Sequence, residues 1–490
     1  MNTTLRSILL AALAARAGAK LTPPMAATTQ KKLHAGPKKA NAPLAWHVRP
    51  HRVAVAQRAA AAADPGKAER RAAWRRSGAF ALTYLAYCAI YLARKPVSVV
   101  KPVLRRELQL STSQLGGIDT AWLAAYAAGQ LLLGRATQAF APASLLPLAF
   151  VLSGAATALI SLANNAAQFA TCWGMNGFFQ SCVNPLLVLY VADLYPAAQR
   201  ASMVGAWQTS QQVGGVAANF FAAHTLQQNG WRAIFATAGL TVSAAALPLG
   251  LLLRHAPKKS VNAPRMPPPL KTRLLEDKER PASSLRGVIS VCVSYFCVKM
   301  ARYSLMFWLP LFLVDAAGVD APAAARLATL LDVGGAAGSL FVGVVADKVC
   351  GGALLKACAP LALLTSLLLA VHAFAYHKGP VINAVLMLAV GFCVAAPDGV
   401  LGGAAARNLC EYNDASPLLA PKLSGLINGC GSVGAIVQGY GTARLVETVG
   451  WKGFFVTLSG LMALATAALV PALRLEQEAK LAQRPQGHTM

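Results

Sequence analysis

Arg94 lies inside the apolar segment TYLAYCAIYLARKPVSVVKPVL (residues 83–104), and Arg302 lies inside YFCVKMARYSLMFWLPLFL (residues 295–313). An arginine at the centre of a membrane helix costs about 2.5 to 3.5 kcal/mol, so each is expected to face a bundle interior or a watery cavity. Both follow an alanine, and both precede a proline by eight residues, at Pro102 and Pro310. Guanidinium is a planar fork of donors that stays charged at any relevant pH and pairs bidentately with phosphate oxygens. Two matching arginines in two parts of one chain therefore predict a central anion site.

The neighbours of these arginines have more than one use. Lys95 points about 100° round the helix from Arg94, so it either supports the anion or reaches a nearby carboxylate. Tyr87 and Tyr91 fall on roughly the face of Arg94, where their hydroxyls meet a substrate or their rings pack a core. Asp332 and Asp398 are intramembrane carboxylates. Each is either a resting counter-ion for Arg302 or Lys299 or a partner for backbone groups beside Gly334, Gly335 and Gly399. The first reading is taken for Asp332 and the second for Asp398.

Composition fixes the solvent. Hydrophobic residues make up 56% of 490, charged residues 13%, and mean hydropathy is +0.48, far from the roughly 25% charged of soluble domains. From residue 77 the chain alternates apolar runs of about 20 residues, long enough to cross a bilayer, with short polar breaks. Twelve such spans are expected: 77–99, 115–134, 144–163, 167–190, 203–224, 232–253, 286–314, 325–346, 353–375, 380–401, 422–446 and 452–473. The domain plan is a leader (1–72), a six-helix half (77–254), a basic Pro-containing linker (255–285), a second six-helix half (286–473) and a polar tail (474–490). Linker charges, Arg135, Arg200, Lys348, Arg407, Arg474 and Lys480 place both termini on one side by the positive-inside rule.

The leader is rich in Ala, Arg, Lys and Thr and has no acid before Asp64. That is the composition of a disordered organelle transit peptide, with a plastid envelope the leading destination. A mitochondrial inner membrane or an endomembrane is the alternative. The net charge of +27 lies largely in this leader and in loops, so it bears on import and orientation and not on nucleic acid. Most of the ten cysteines sit in apolar runs without a CxxC pair and read as packed thiols, with no metal or cofactor expected.

The halves repeat in pattern. GAWQTSQQVGGVAANFF then GWRAIF in spans five and six answers to GLINGCGSVGAIVQGY then GWKGFF in spans eleven and twelve. A weaker trace follows the second spans, at Gly134-Arg135 and at Asp347-Lys348, the latter read as a conformational loop. Glycines at 116, 117, 129 and 134, at 205, 214 and 215, at 334, 335, 338 and 343, and at 425, 429, 431 and 434 are expected to let helices approach closely. Rocking of two halves around a midplane site would use such contacts.

Tyr87, Tyr91, Arg94 and Lys95, NGFFQSCVNP from Asn176, Trp207 with Val213-Gly214-Gly215, Arg302 with Trp308 and Pro310, LDVGGAAG from Leu331, and Ala396-Pro397-Asp398 form one constellation. It resembles the major facilitator superfamily and, within it, the organophosphate:phosphate antiporters, over about residues 77–473. The resemblance implies an all-α membrane fold of twelve helices, a phosphate group gripped by Arg94 and Arg302, and exchange of a phosphate ester against inorganic phosphate. Glycerol-3-phosphate or a hexose phosphate is the implied ester.

Departures from bacterial members fall at Gln211, where a histidine is usual, at Gln130, where some have lysine, and at Phe307, where some have an acid. Gln211 and Gln130 are candidate phosphate or sugar-hydroxyl partners, but an amide takes up no proton near neutrality. The spelling of the Arg302 segment looks more like eukaryotic sugar-phosphate and glycerol-3-phosphate exchangers. The rival readings are a proton- or sodium-coupled anion carrier, with Asp332 as its titratable group, and a transporter-like phosphate sensor. No HExxH, GxSxG or Walker loop points to an enzyme. The expected partners are small phosphate esters, inorganic phosphate and the lipid bilayer, with the chain acting as a monomer.

Overall fold

The structure, a computed structural model, describes residues 65–139, 142–255, 285–416 and 419–482. Chain contacts separate Met1–Lys67 from Ala68–Met490, and the fold described below is that of the second unit. The transit peptide expected over 1–72 and the linker expected over 255–285 fall mostly outside the described residues. A first helix already starts at Pro65, within the stretch expected to be disordered.

Helices make up the described chain, which contains no strand. Eight segments are long and apolar enough to cross a membrane. Two of them, Met203–Arg254 and Ala420–Leu481, hold two crossings each, and the less apolar spans one and two complete twelve. The two double segments turn at glycines: Gly230 has φ 76° and ψ 176°, and Gly450 has φ 67° and ψ −175°. Only glycine adopts this region readily. Each glycine precedes a tryptophan, Trp231 or Trp451, so the repeat seen in sequence is a repeat of backbone geometry.

Span one is discontinuous. Its first helix ends at Leu92 and its second runs from Pro96 to Glu107, with Ala93, Arg94 and Lys95 on tight turns between them. Pro96 has no N–H to donate to Leu92 and its ring crowds that carbonyl, which accounts for the break. The matching Arg302 sits in an unbroken helix, Val288–Ala317. Span ten breaks differently: after Pro397 and Asp398 it widens into a π-turn at Val400–Ala404.

Three apolar cores hold the bundle. One is confined to the first half and includes Phe150, Leu187 and Trp207. A second lies wholly in the second half. The third joins them: Val99, Leu104 and Trp122 of the first half pack with Trp308, Leu311 and Ala325 of the second. This shared core lies toward the end of the bundle that carries Glu107, Asp315 and Glu447, opposite the end where Arg286 pairs with Glu478. At the former end Arg105 Nη1 donates to Asp315 Oδ2 at 2.7 Å, and the Ser113 hydroxyl donates to Glu447 at 2.8 Å. Between the halves, Lys299 and Arg302 stay 20% and 27% exposed at mid-span, so a cleft remains there while the end that carries Asp315 and Glu447 is closed.

The glycine expectation is corrected in part. Gly334 and Gly338 meet Leu388 and Phe392, and Gly214 and Gly434 meet Cys88 and Phe296, all within one half. Among these glycines only Gly116, against Gly439 and Ala443, and Gly215, against Asp332, touch the other half. The reason is that close helix contacts here serve packing inside each half. Gly134 lies outside the residues whose side of the helix is described. The polar tail begins inside the last helix, which continues to Ala482. Its fully buried Glu476 accepts from Leu355 N at 3.1 Å, Lys356 N at 2.8 Å and the Tyr412 hydroxyl at 2.9 Å. A carboxylate there satisfies the free N–H groups that open span nine.

Gly230→Ala and Gly450→Ala are each expected to lower unfolding stability in detergent by about 1–3 kcal/mol, the cost of forcing a Cβ into this backbone region. No neighbour lies within 4 Å of either position, so the loss is conformational. A thermal-shift measurement showing unchanged stability in both variants would contradict it.

Candidate functional site

Arg94 stands at the break in span one, where the broken helix leaves it room to face the cleft. Its guanidinium lies over Tyr91, Trp122 and Tyr126, with centroid distances of 5.1, 5.2 and 5.5 Å. Its Nε donates to Gln180 Oε1 at 3.1 Å. The ring platform is itself fixed: Trp122 Nε1 donates to Asn176 Oδ1 at 2.9 Å, and Asn176 Nδ2 donates to Thr157 Oγ1 at 2.7 Å. A chain of hydrogen bonds from span three through span four thereby orients the aromatic face in span two. Among the described residues no carboxylate pairs with Arg94.

Arg302 is held otherwise. Its Nη1 donates to Asp398 Oδ2, and Lys299, one turn earlier, pairs with Asp398 Oδ1 at 3.0 Å. The Lys299 ammonium lies 5.2 Å from the rings of both Tyr295 and Tyr303. Tyr303 packs on Phe307 at 6.0 Å and Phe307 on Trp122 at 6.2 Å, so a run of rings joins the Arg94 side of the site to the Lys299–Arg302 side.

A second ion pair crosses the cleft. Lys95 Nζ donates to Asp332 at 2.7 and 2.9 Å, joining span one to span eight. Asn219 of span five donates to the same carboxylate at 3.4 Å. The bare face of Gly215 lets this pair sit close, with Lys95 and Asp332 atoms 3.3 and 3.4 Å from where a Cβ would stand.

Two carboxylate expectations are therefore corrected. Asp332 neutralises Lys95, not Arg302 or Lys299, because the rotation from Arg94 to Lys95 turns the ammonium toward span eight. Asp398 is no backbone partner. The break in span ten after Pro397 presents it to both Arg302 and Lys299. Four cations (Arg94, Lys95, Lys299 and Arg302) and two carboxylates (Asp332 and Asp398) leave a formal excess of two positive charges, which a phosphate dianion would neutralise.

The remaining candidates separate. Tyr91 donates its hydroxyl to Gln211 Oε1 at 3.1 Å, and Gln211 Nε2 donates to Gln208 at 2.5 Å, so both belong to the cleft wall. Tyr87 is buried against Trp207 at 4.9 Å and serves the core of the first half. Gln130 is exposed one turn beyond Tyr126 on the same helix face and has no hydrogen bond to the arginines. Lys348 is exposed at the end of span eight, and the side chain of Asp347 lies outside the described residues.

Trp122, Tyr126, Gln180 and Tyr303 were missed from sequence. An intramembrane glutamine three residues after Gly177 was the available signal for Gln180; the aromatic residues had no feature to set them apart from core.

A further pair escaped notice although its charges were visible. Lys101 and Asp119 are fully buried and 2.5 Å apart, with Lys101 Nζ 4.0 Å over the Trp308 ring in the other half. Removing one member strands the other charge, which costs about 3–5 kcal/mol, whereas apolar replacement of both is often neutral. Lys101→Met is expected to destabilise the protein by that amount, and adding Asp119→Leu to restore most of it, as read from unfolding midpoints. Equal loss in the single and double variants would contradict the assignment.

Comparison with known proteins gives the same fold. The chain resembles sugar phosphate exchanger 3 of Mus musculus, with 26% identity covering 84% of this chain and 95% of the relative. It also resembles a putative glycerol-3-phosphate transporter 2 of Arabidopsis thaliana, at 25% identity over 81% and 85% of the two chains. The membrane sensor protein UhpC of Escherichia coli K12 is 24% identical over 82% and 93%. Among solved structures, a bacterial homologue of the human lysosomal transporter Spinster, inward-facing and unoccupied, superposes with a TM-score of 0.61, at 17% identity over 84% and 99%. The D-xylose-proton symporter gives 0.64 at 15% identity over 80% and 95%. The Major Facilitator Superfamily pattern itself matches residues 83–411. With two repeated halves around one charged cleft and a match across most of its length, this chain belongs to the Major Facilitator Superfamily.

Proposed function

We infer that this protein is a secondary transporter that exchanges a phosphorylated metabolite for inorganic phosphate by alternating access, without chemical change to either. The observation that carries this reading is the excess of two positive charges in the cleft, with Arg94 free of any carboxylate among the described residues. Arg94 and Arg302 grip the phosphate head from opposite halves, and the Tyr91–Gln211 wall meets the organic part. The names of the relatives, a sugar phosphate exchanger and a glycerol-3-phosphate transporter, support the same substrate class.

Exchange follows from the charge. An empty cleft would have to reorient with two uncompensated cations in a low-dielectric setting, while a cleft holding a dianion is neutral. The basic leader favours a plastid envelope as the site of action, with a mitochondrial or endomembrane location as the alternative, and the protein acts there as a monomer.

Labelled phosphate uptake into proteoliposomes tests the reading. Uptake is expected only into vesicles preloaded with phosphate, glycerol-3-phosphate or glucose-6-phosphate, and the best internal ester identifies the cargo. Arg94→Lys and Arg302→Lys should each lower exchange about tenfold to hundredfold, the loss expected for charge-assisted hydrogen bonds. Equal uptake into empty vesicles that follows an imposed proton or sodium gradient would replace exchange with ion coupling. Phosphate binding without any turnover would favour a sensor, the role named for the Escherichia coli relative.

A further inference from the structure

The two halves treat their arginines differently, and the difference has a chemical reading. In the register that aligns Gly177-Phe178 with Gly391-Phe392, Asn184 of span four stands where Asp398 stands in span ten. The first half therefore offers its arginine rings and an amide: Tyr91, Trp122 and Tyr126 lie under Arg94 and Gln180 accepts from it, while Asn184 Nδ2 donates to Gln208 at 3.4 Å. The second half adds Lys299 and subtracts Asp398. Lys95 and Asp332 cancel each other. The Lys101–Asp119 pair, buried in the closed core, is likewise neutral as a unit.

We propose that Asp398 sets the charge of the cargo, so that the site takes phosphomonoesters with an uncharged organic part and discriminates against those with an added carboxylate. This rests on the exchange reading above. A dianion brings the cleft to formal neutrality. A trianion leaves one negative charge unmatched beside a fixed carboxylate, in a cleft whose walls screen poorly. The geometry adds direction: Asp398 occupies one side of Arg302, so a phosphate head reaches that guanidinium from the other side. A carboxylate at the far end of a small ester would then add a negative charge that no cation of the cleft is left to match. A hydroxyl at the same place adds no charge.

Glycerol-3-phosphate and 3-phosphoglycerate are a matched pair for the test, differing in a hydroxymethyl against a carboxylate. At about pH 8 both phosphate heads are dianions. Their ability to drive labelled phosphate counterflow is compared in proteoliposomes of the full chain. The wild-type protein is expected to prefer glycerol-3-phosphate by about tenfold or more, the effect of one unit charge at this range. Asp398→Asn raises the excess to three charges and should move the ratio toward 3-phosphoglycerate by a similar factor. Asn184→Asp lowers it to one and should move the ratio the opposite way, which keeps the test alive if the first variant does not fold.

A wild-type protein that exchanges both esters equally, or a ratio unmoved in the folded variants, overturns the proposal while leaving phosphate exchange intact. Absence of counterflow with phosphate and with every ester in folded wild-type protein removes the exchange reading itself.

Discussion

The rest of the structure depends on keeping uncompensated positive charge in the middle of a membrane protein. Cations there are tolerated when something shares the cost: a carboxylate, a ring face, or water in a cleft. This protein uses all three. Lys95 and Lys299 have carboxylates, Arg94 has three aromatic rings, and Arg302 stays 27% exposed in the cleft. The broken first span and the π-turn in span ten are the backbone deviations that bring these groups together. Irregular backbone at membrane depth is acceptable where it lines such a cavity.

Duplication built the frame and divergence built the site. The frame retains its repeat in detail, as the glycine turns at 230 and 450 and the paired approaches of Gly214 to Cys88 and Gly434 to Phe296 attest. The site does not. One arginine is cradled by neutral groups and the other shares an aspartate with a lysine, so the two ends of a bound molecule meet different surroundings.

Much of this was legible in the chain. Run length and the spacing of Arg94 and Arg302 disclosed twelve spans and two cationic centres, since apolar length and a stranded charge are local properties. The partners were harder. Whether Asp332 or Asp398 meets Arg302 depends on how spans rotate against each other, and that is set by packing between spans far apart in the chain. Trp122 and Tyr126 became platform residues only because Asn176, two spans away in sequence, fixes the indole. Glu476 looked like part of a polar tail because nothing local announces that it will cap a helix begun more than a hundred residues earlier.

The shared core on the closed face has a thermal consequence. To open that face, Val99, Leu104, Trp308 and Leu311 must leave each other and meet water, and exposure of apolar surface raises heat capacity. The energy of the barrier to reorientation then varies with temperature. Its Arrhenius plot is curved, and the balance between the two faces shifts on cooling, when apolar association weakens. Charge selects what is carried, but the solvation of carbon governs how the carrier turns over.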